Sequence, residues 1–104
     1  MQQCKVNFDG IAWVSPMPGV RFKAFTRDGR RIRLVEYSKS FIEPDWCPRG
    51  HIGYVLEGEF EIDFPDGCLR YKPGDGIFLP AGEACKHKAR MTSDFVRVVL
   101  VEDV

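Results

Sequence analysis

Two stretches of the sequence decide its fold, and the first is Trp46–Gly58, WCPRGHIGYVLEG. Its second half is rich in β-branched and aromatic residues, which favour strands, and it ends on a glycine, which favours a turn. The second stretch is Gly74–Cys85, GDGIFLPAGEAC, in which a short apolar run lies between glycine and proline turn residues. Both stretches predict short β-strands that end in tight turns.

A two-residue periodicity extends over most of the remaining chain. Glycine or proline interrupts it at intervals of roughly 8–12 residues, which is typical of an all-β sandwich or barrel. Val20–Thr26 and Ile32–Tyr37 flank Asp28-Gly29, a dipeptide that accepts the positive φ angles of a tight turn. We therefore predict a β-hairpin across these residues.

Two later segments complete the strand pattern. His51–Phe64 is interrupted at Gly58, the turn residues Pro65-Asp66-Gly67 follow it, and Cys68–Lys72 continues beyond the turn, so that the whole stretch predicts a β-meander. Phe95–Val101 is almost continuously apolar and predicts an interior strand. No long helix is predicted.

Length and composition limit the classes of function. The chain has 104 residues, of which 44% are hydrophobic, so that one domain over residues 1–104 with its own core is expected. Fifteen basic and fifteen acidic residues give no net charge, which argues against nucleic acid as a partner. No segment has the apolar length of a secretory signal or a membrane span, so we expect a cytoplasmic protein that does not bind membranes.

The two stretches resemble the two conserved motifs of the cupin superfamily. Tyr54–Gly58 matches the strand and turn Tyr-Val-Leu-x-Gly within a first motif over residues 43–58. The second motif, residues 74–89, matches Gly, five residues, Pro-x-Gly, two residues and a ligand position. The resemblance implies an all-β domain, an antiparallel β-barrel of the jelly-roll type, that pairs into a homodimer.

The same resemblance identifies four candidate metal ligands. Cupins hold a divalent metal with two His residues and a Glu in the first motif and a His in the second. Counting along the motifs places Asp45, Cys47, His51 and Cys85 on these four positions. None of the four keeps the usual residue type, but each can bind a metal, which indicates a changed metal site.

Ligand chemistry favours zinc, because two thiolates and one imidazole are soft to borderline donors. With Asp45 unbound, the fourth position is open to water or to a small polar molecule, and isomerase, lyase or hydrolytic chemistry is expected. With Asp45 bound, the shell is closed and a structural or regulatory role is favoured. A metal-free barrel, a Cys47–Cys85 redox pair and a non-catalytic ligand-binding or sensing module are the alternatives.

Strand alternation predicts which residues surround this site. Gly53 and Val55 share a face with His51, and Gly53 is expected to leave open volume beside it. His87 follows Cys85 on the same face, where it can act as a general acid or base or replace Asp45 as a ligand. The alternative for His87 is a partly exposed, hydrogen-bonded residue at the barrel rim, between Lys86 and Lys88.

Aromatic and basic side chains complete the candidate site. Phe41 and Trp46 are first of all candidates for the core, and they can also line the mouth of the pocket or a dimer face. Six basic residues make the 21–33 hairpin positive, and they can attract an anionic substrate. We interpret them instead as a solvated edge hairpin that charge protects from further pairing; they are Arg21, Lys23, Arg27, Arg30, Arg31 and Arg33.

Overall fold

Antiparallel strands make up most of the computed structural model, which describes residues 4–104. The strands are β1 Val14–Met17, β2 Val20–Arg27, β3 Arg30–Ser38, β4 His51–Glu57, β5 Phe60–Phe64, β6 Gly67–Tyr71, β7 Gly76–Leu79, β8 Lys88–Met91 and β9 Phe95–Asp103. Two single-turn 3-10 helices lie at Phe8–Gly10 and Glu83–Cys85. No helix within residues 4–104 has the length and apolar character needed to cross a membrane.

The strands form two sheets with the core between them. The larger sheet has the order β1-β2-β3-β9-β4-β7, and the smaller has the order β6-β5-β8. Val35, Val55 and Val96 are fully buried in the core, and Phe60 and Ile62 cover them from the smaller sheet. Two antiparallel sheets packed face to face in this way confirm the predicted all-β jelly roll.

The predicted hairpin is confirmed at β2 and β3, which pair from Val20↔Tyr37 to Arg27↔Arg30. Its two turn residues both have positive φ, 54° at Asp28 and 76° at Gly29, which matches the twist of the flanking strands. The hairpin is not at the edge of the sheet, however. β3 pairs with β9 and β2 pairs with β1, so that both of its strands have neighbours on each side.

The predicted meander over residues 51–72 is confirmed in its second half, where β5 pairs with β6 from Phe60↔Tyr71 to Phe64↔Gly67. Its first half is wrong, because the chain changes sheets at Gly58. β4 belongs to the larger sheet and β5 to the smaller one. Gly58 has a φ of 79°, and a Cβ at this position would collide with the carbonyl oxygen of Phe95. Only glycine permits this bend against β9, and the bend directs the chain across the core.

The apolar run Phe95–Val101 forms the central strand β9, between β3 and β4. Its side chains alternate: Val96, Val98 and Leu100 are buried, whereas Val99 and Val101 lie on the outer face and are partly exposed. The prediction of an interior strand therefore holds for one of its two faces. On the outer face the two valines lie beside apolar residues of β4 and β7, and we call this group the outer patch: Ile52, Tyr54, Phe78, Val99 and Val101.

A buried carboxylate joins three strands of the larger sheet. Glu36 of β3 is 3% exposed, and Arg21 of β2 donates a hydrogen bond to it over 2.8 Å. Arg97 of β9 donates two more, over 2.6 and 2.9 Å. Burial alone would raise the pKa of Glu36, but the hydrogen bonds from Arg97 and Arg21 outweigh it, so that the pKa is lowered.

This lowered pKa predicts a specific acid sensitivity. Since Glu36 ionises more readily in the folded protein, its stabilisation is complete above the pKa of the unfolded chain and is lost as the pH falls through the folded pKa. We expect Glu36→Gln to lower the free energy of unfolding at pH 7 by about 2 kcal/mol. Below about pH 4 the difference from the unmodified protein should shrink.

Urea unfolding between pH 7 and pH 3 measures this effect. Glu57→Gln is the matched control, because Glu57 is exposed on β4. An equal loss of stability in both variants at every pH would contradict the role of Glu36.

Candidate metal centre

Three potential metal ligands converge at one end of the space between the sheets. They are Cys47, His51 and His87, and their ligand atoms all lie within 4.8 Å of one another. His51 begins β4, His87 directly precedes β8, and Cys47 lies in the connection between β3 and β4. Within residues 4–104 this is the only group of three or more Cys, His, Asp or Glu residues with metal-binding spacing.

Backbone hydrogen bonds fix two of these residues side by side. The Cys47 amide donates to the His87 carbonyl over 2.8 Å, and the His87 amide donates to the Cys47 carbonyl over 3.0 Å. This isolated antiparallel bridge pairs the two residues directly, so that their side chains leave the backbone on the same side. The relative position of thiol and imidazole is therefore set by the main chain.

Both imidazole rings are oriented through Nδ1. Nδ1 of His51 lies 2.7 Å from Oε2 of Glu102, and Nδ1 of His87 lies 3.4 Å from the carbonyl oxygen of Cys85. The rings meet edge to face, with centroids 5.6 Å apart. Metal-binding histidines commonly donate one ring N–H to a carboxylate or carbonyl and coordinate through the other nitrogen. The donor set therefore fits a metal bound through Nε2 of each ring and the thiolate of Cys47.

The environment of His87 suits a ligand and excludes the exposed rim position. His87 is 4% exposed. Burial lowers its pKa, although the contact with the Cys85 carbonyl acts in the opposite direction. The ring is therefore neutral at pH 7, which is the form that coordinates a metal.

Two of the four ligands predicted by motif spacing, Cys47 and His51, belong to the cluster. Asp45 and Cys85 lie outside it. The 3-10 turn Glu83–Cys85 lies between Gly82 and β8, so that His87 rather than Cys85 lies in the cluster, opposite Cys47. Asp45 is exposed in the preceding loop. Both Cys47 and Cys85 are free thiols.

A cavity of about 380 Å³ between the sheets is lined by all three members of the cluster. This volume lies within the range of small-molecule pockets. Most of the wall is apolar, and the remaining polar residues lie on several different strands and loops. The polar and charged lining residues other than the cluster are Arg31, Arg33, Tyr37, Glu43, Arg49 and Glu102.

The four residues predicted to contact a substrate lie in different environments, and only some of them line the cavity. Phe41 lines the cavity, whereas Val55 is fully buried in the core. Trp46 is 40% exposed and lies under the ammonium groups of Lys86 and Lys88, 5.7 and 5.6 Å from its ring, outside the cavity lining.

Gly53 does not leave open volume, contrary to the sequence prediction. A Cβ at this position would collide with the Val99 carbonyl oxygen and would lie 2.9 Å from Cδ2 of Leu100. The glycine therefore permits the close approach of β4 and β9, and a glycine in a strand can serve that purpose.

Glu102 is a site residue that no motif in the sequence indicates. Arg31 and Arg33, predicted to be solvated, turn inward and donate hydrogen bonds to Glu102 over 2.9 and 3.1 Å. Burial alone would raise the pKa of Glu102, but hydrogen bonds from His51, Arg33 and Arg31 lower it to about 2. The available signal was strand alternation, because Arg31 and Arg33 share a face with Val35, which is buried.

Comparison with known proteins gives structural neighbours only. No protein-family model and no curated protein matches the sequence. KdgF from Halomonas sp. superposes with a TM-score of 0.74 at 24% identity, over 92% of this chain and 91% of KdgF. The polyketide cyclase RemF from Streptomyces resistomycificus gives a TM-score of 0.76 at 21% identity, over 98% of this chain and 80% of RemF.

A third neighbour carries the superfamily name. The sugar phosphate isomerase from a cupin superfamily, from Silicibacter pomeroyi, gives a TM-score of 0.74 at 19% identity, over 96% of this chain and 75% of the isomerase. The two-sheet architecture, the two sequence motifs and these superpositions agree. The chain therefore has the jelly-roll fold of the cupin superfamily.

Proposed function

We propose that this protein is a metal-dependent cupin in which Cys47, His51 and His87 hold one zinc ion. The observation that carries the proposal is the convergence of three ligand atoms within 4.8 Å in the wall of a cavity. One thiolate and two imidazoles are a donor set that suits zinc, and the neutral state of His87 at pH 7 is consistent with it.

Three protein ligands and an adjoining cavity are the arrangement of catalytic rather than structural zinc sites. Bound zinc polarises a carbonyl group or activates water, so that isomerase, lyase or hydrolytic chemistry on a small polar molecule is the reaction class we propose. The neighbours that are a sugar phosphate isomerase and a polyketide cyclase support non-oxidative chemistry on this fold. A binding or sensing role without turnover is the second candidate, because fold alone does not fix function.

The residues around the cluster have separate roles in this proposal. Glu102 orients His51, and the Cys85 carbonyl orients His87. Tyr37 lines the cavity, and its hydroxyl, protonated at neutral pH, can donate a hydrogen bond to a bound molecule; burial raises its pKa further, to about 12. Zinc binding requires that Cys47 is not oxidised. We therefore propose that the protein is cytoplasmic, because thiols persist in that compartment.

Elemental analysis of untagged protein tests the metal site. We expect about one zinc per chain in the unmodified protein. Cys47→Ser and His87→Ala should contain less zinc, since each removes a ligand and lowers the zinc affinity at least about tenfold. Cys85→Ser and Asp45→Asn are the matched controls, because they change a thiol and a carboxylate outside the cluster. Full zinc in His87→Ala, or its loss in Cys85→Ser alone, would contradict the assignment.

We further propose that a second copy of the chain covers the outer patch. Ile52, Tyr54 and Phe78 are 54%, 50% and 73% exposed, and strand pairing places them beside Val99 and Val101. An apolar surface shared by neighbouring strands is typical of an interaction site, and a twofold axis would bury it on both copies. Because the chain has no net charge, two copies do not repel each other through their overall charge.

Sedimentation velocity at micromolar concentration tests the dimer. We expect a species of twice the chain mass, and its conversion to monomer in Phe78→Glu, because a buried charge in the interface is strongly unfavourable. Leu69→Glu is the control, since Leu69 is exposed on β6 of the other sheet. A monomer of 11.9 kDa in the unmodified protein would overturn the proposal.

A further inference from the structure

The end of the cavity that contains the metal cluster also carries three arginines, and they differ in how they are paired. Arg31 and Arg33 both donate hydrogen bonds to the buried carboxylate of Glu102. Arg49 lines the same cavity but has no hydrogen-bond, ion-pair or ring partner among residues 4–104. Its positive charge is therefore the one at this end that no protein carboxylate neutralises.

Arg49 lies where two cavities meet. It lines the inner cavity and also an outer cleft of about 890 Å³, and it shares this position with Arg31, His51 and Glu102. In sequence it lies between two candidate ligands, two residues after Cys47 and two before His51. A molecule that lies between the cleft and the cluster is therefore within the part of the wall to which Arg49 belongs.

The backbone on both sides of Arg49 is held in place, although its side chain is exposed. The Pro48 carbonyl accepts a hydrogen bond from the Gly82 amide over 2.9 Å. Gly50 packs closely on the end of β7 and the loop that follows it. A Cβ at this position would lie 2.9 Å from the Leu79 carbonyl oxygen and 3.0 Å from the Ala81 amide nitrogen. The fixed backbone reduces the entropy that ligand binding must overcome, and the unpaired guanidinium can bind a ligand without first breaking a contact within the protein.

We infer that Arg49 binds the anionic group of the molecule that enters the cavity. That this molecule is the substrate of the protein rests on the proposed function. Arginine presents a planar fork of N–H donors that matches a carboxylate or a phosphate in a bidentate contact. The lining contains three arginines and two carboxylates, Glu43 and Glu102, and a bound zinc ion would add further positive charge.

Three matched probes test the inference: sorbitol, gluconate and sorbitol 6-phosphate. They share a six-carbon hydroxylated chain and differ in having no charge, a carboxylate or a phosphate. Isothermal titration calorimetry at low salt should show at least one of the anions binding at least about tenfold more tightly than sorbitol. The more tightly bound anion distinguishes a carboxylate substrate from a phosphorylated one.

Variants assign the effect to the guanidinium. Arg49→Gln should lose about tenfold in affinity for that anion and none for sorbitol, and Arg49→Lys should keep only part of the affinity. Lys39→Gln is the control, because it removes one positive charge from an exposed residue outside both cavities. No preference for either anion, no binding of any probe at millimolar concentration, or equal losses in Arg49→Gln and Lys39→Gln would overturn the inference.

Zinc content measured on the same samples separates this inference from the proposed function. Zinc-loaded protein without anion preference would support the metal site and contradict the anion-binding role of Arg49. Arg49-dependent anion binding in a protein that takes up no zinc would support the anion site and remove the metal-dependent function.

Discussion

The hydrogen-bonded carboxylate of Glu102 is the interaction on which the site depends. It is 8% exposed on β9, and it accepts hydrogen bonds from Arg31 and Arg33 of β3 and contacts Nδ1 of His51 on β4. A buried carboxylate is costly unless charged donors surround it, and here the guanidinium groups of Arg31 and Arg33 supply them. One side chain therefore sets the ring orientation of a candidate ligand and draws two arginines into the interior, where they face the cavity.

Much of the fold could be predicted from the sequence, because its determinants are local. The Asp28-Gly29 turn needs positive φ at two successive residues, and the apolar alternation on either side of it defines two strands. The change of sheet at Gly58 could not be predicted, since it depends on the approach of Phe95 from a distant part of the chain. The same limit applies to Gly53, whose lack of a side chain serves the contact with β9 rather than the cavity.

The candidate site could be predicted in part. Motif spacing located Cys47 and His51, but counting residues assumes that no turn intervenes, and the 3-10 turn Glu83–Cys85 moves His87 into the cluster. Strand alternation also predicts His87 beside the metal, as a general acid or base or as a replacement for Asp45, and the structure brings it within reach of both other residues. The charge of Arg31 and Arg33 favours solvent, whereas strand alternation places them inward. Their partner Glu102 lies on β9, far away in the sequence, so that no local signal decides between the two positions.

The origin of the three cluster residues has a mechanical consequence. His51 belongs to the larger sheet, while His87 adjoins β8 of the smaller sheet and is bridged by its backbone to Cys47. An ion held by all three would cross-link the two layers at one end, much as a disulfide does, in a chain of only 104 residues. Chelation would then loosen the layers at that end first, and amide hydrogens of β8 would exchange with solvent faster than those of the central strand β9.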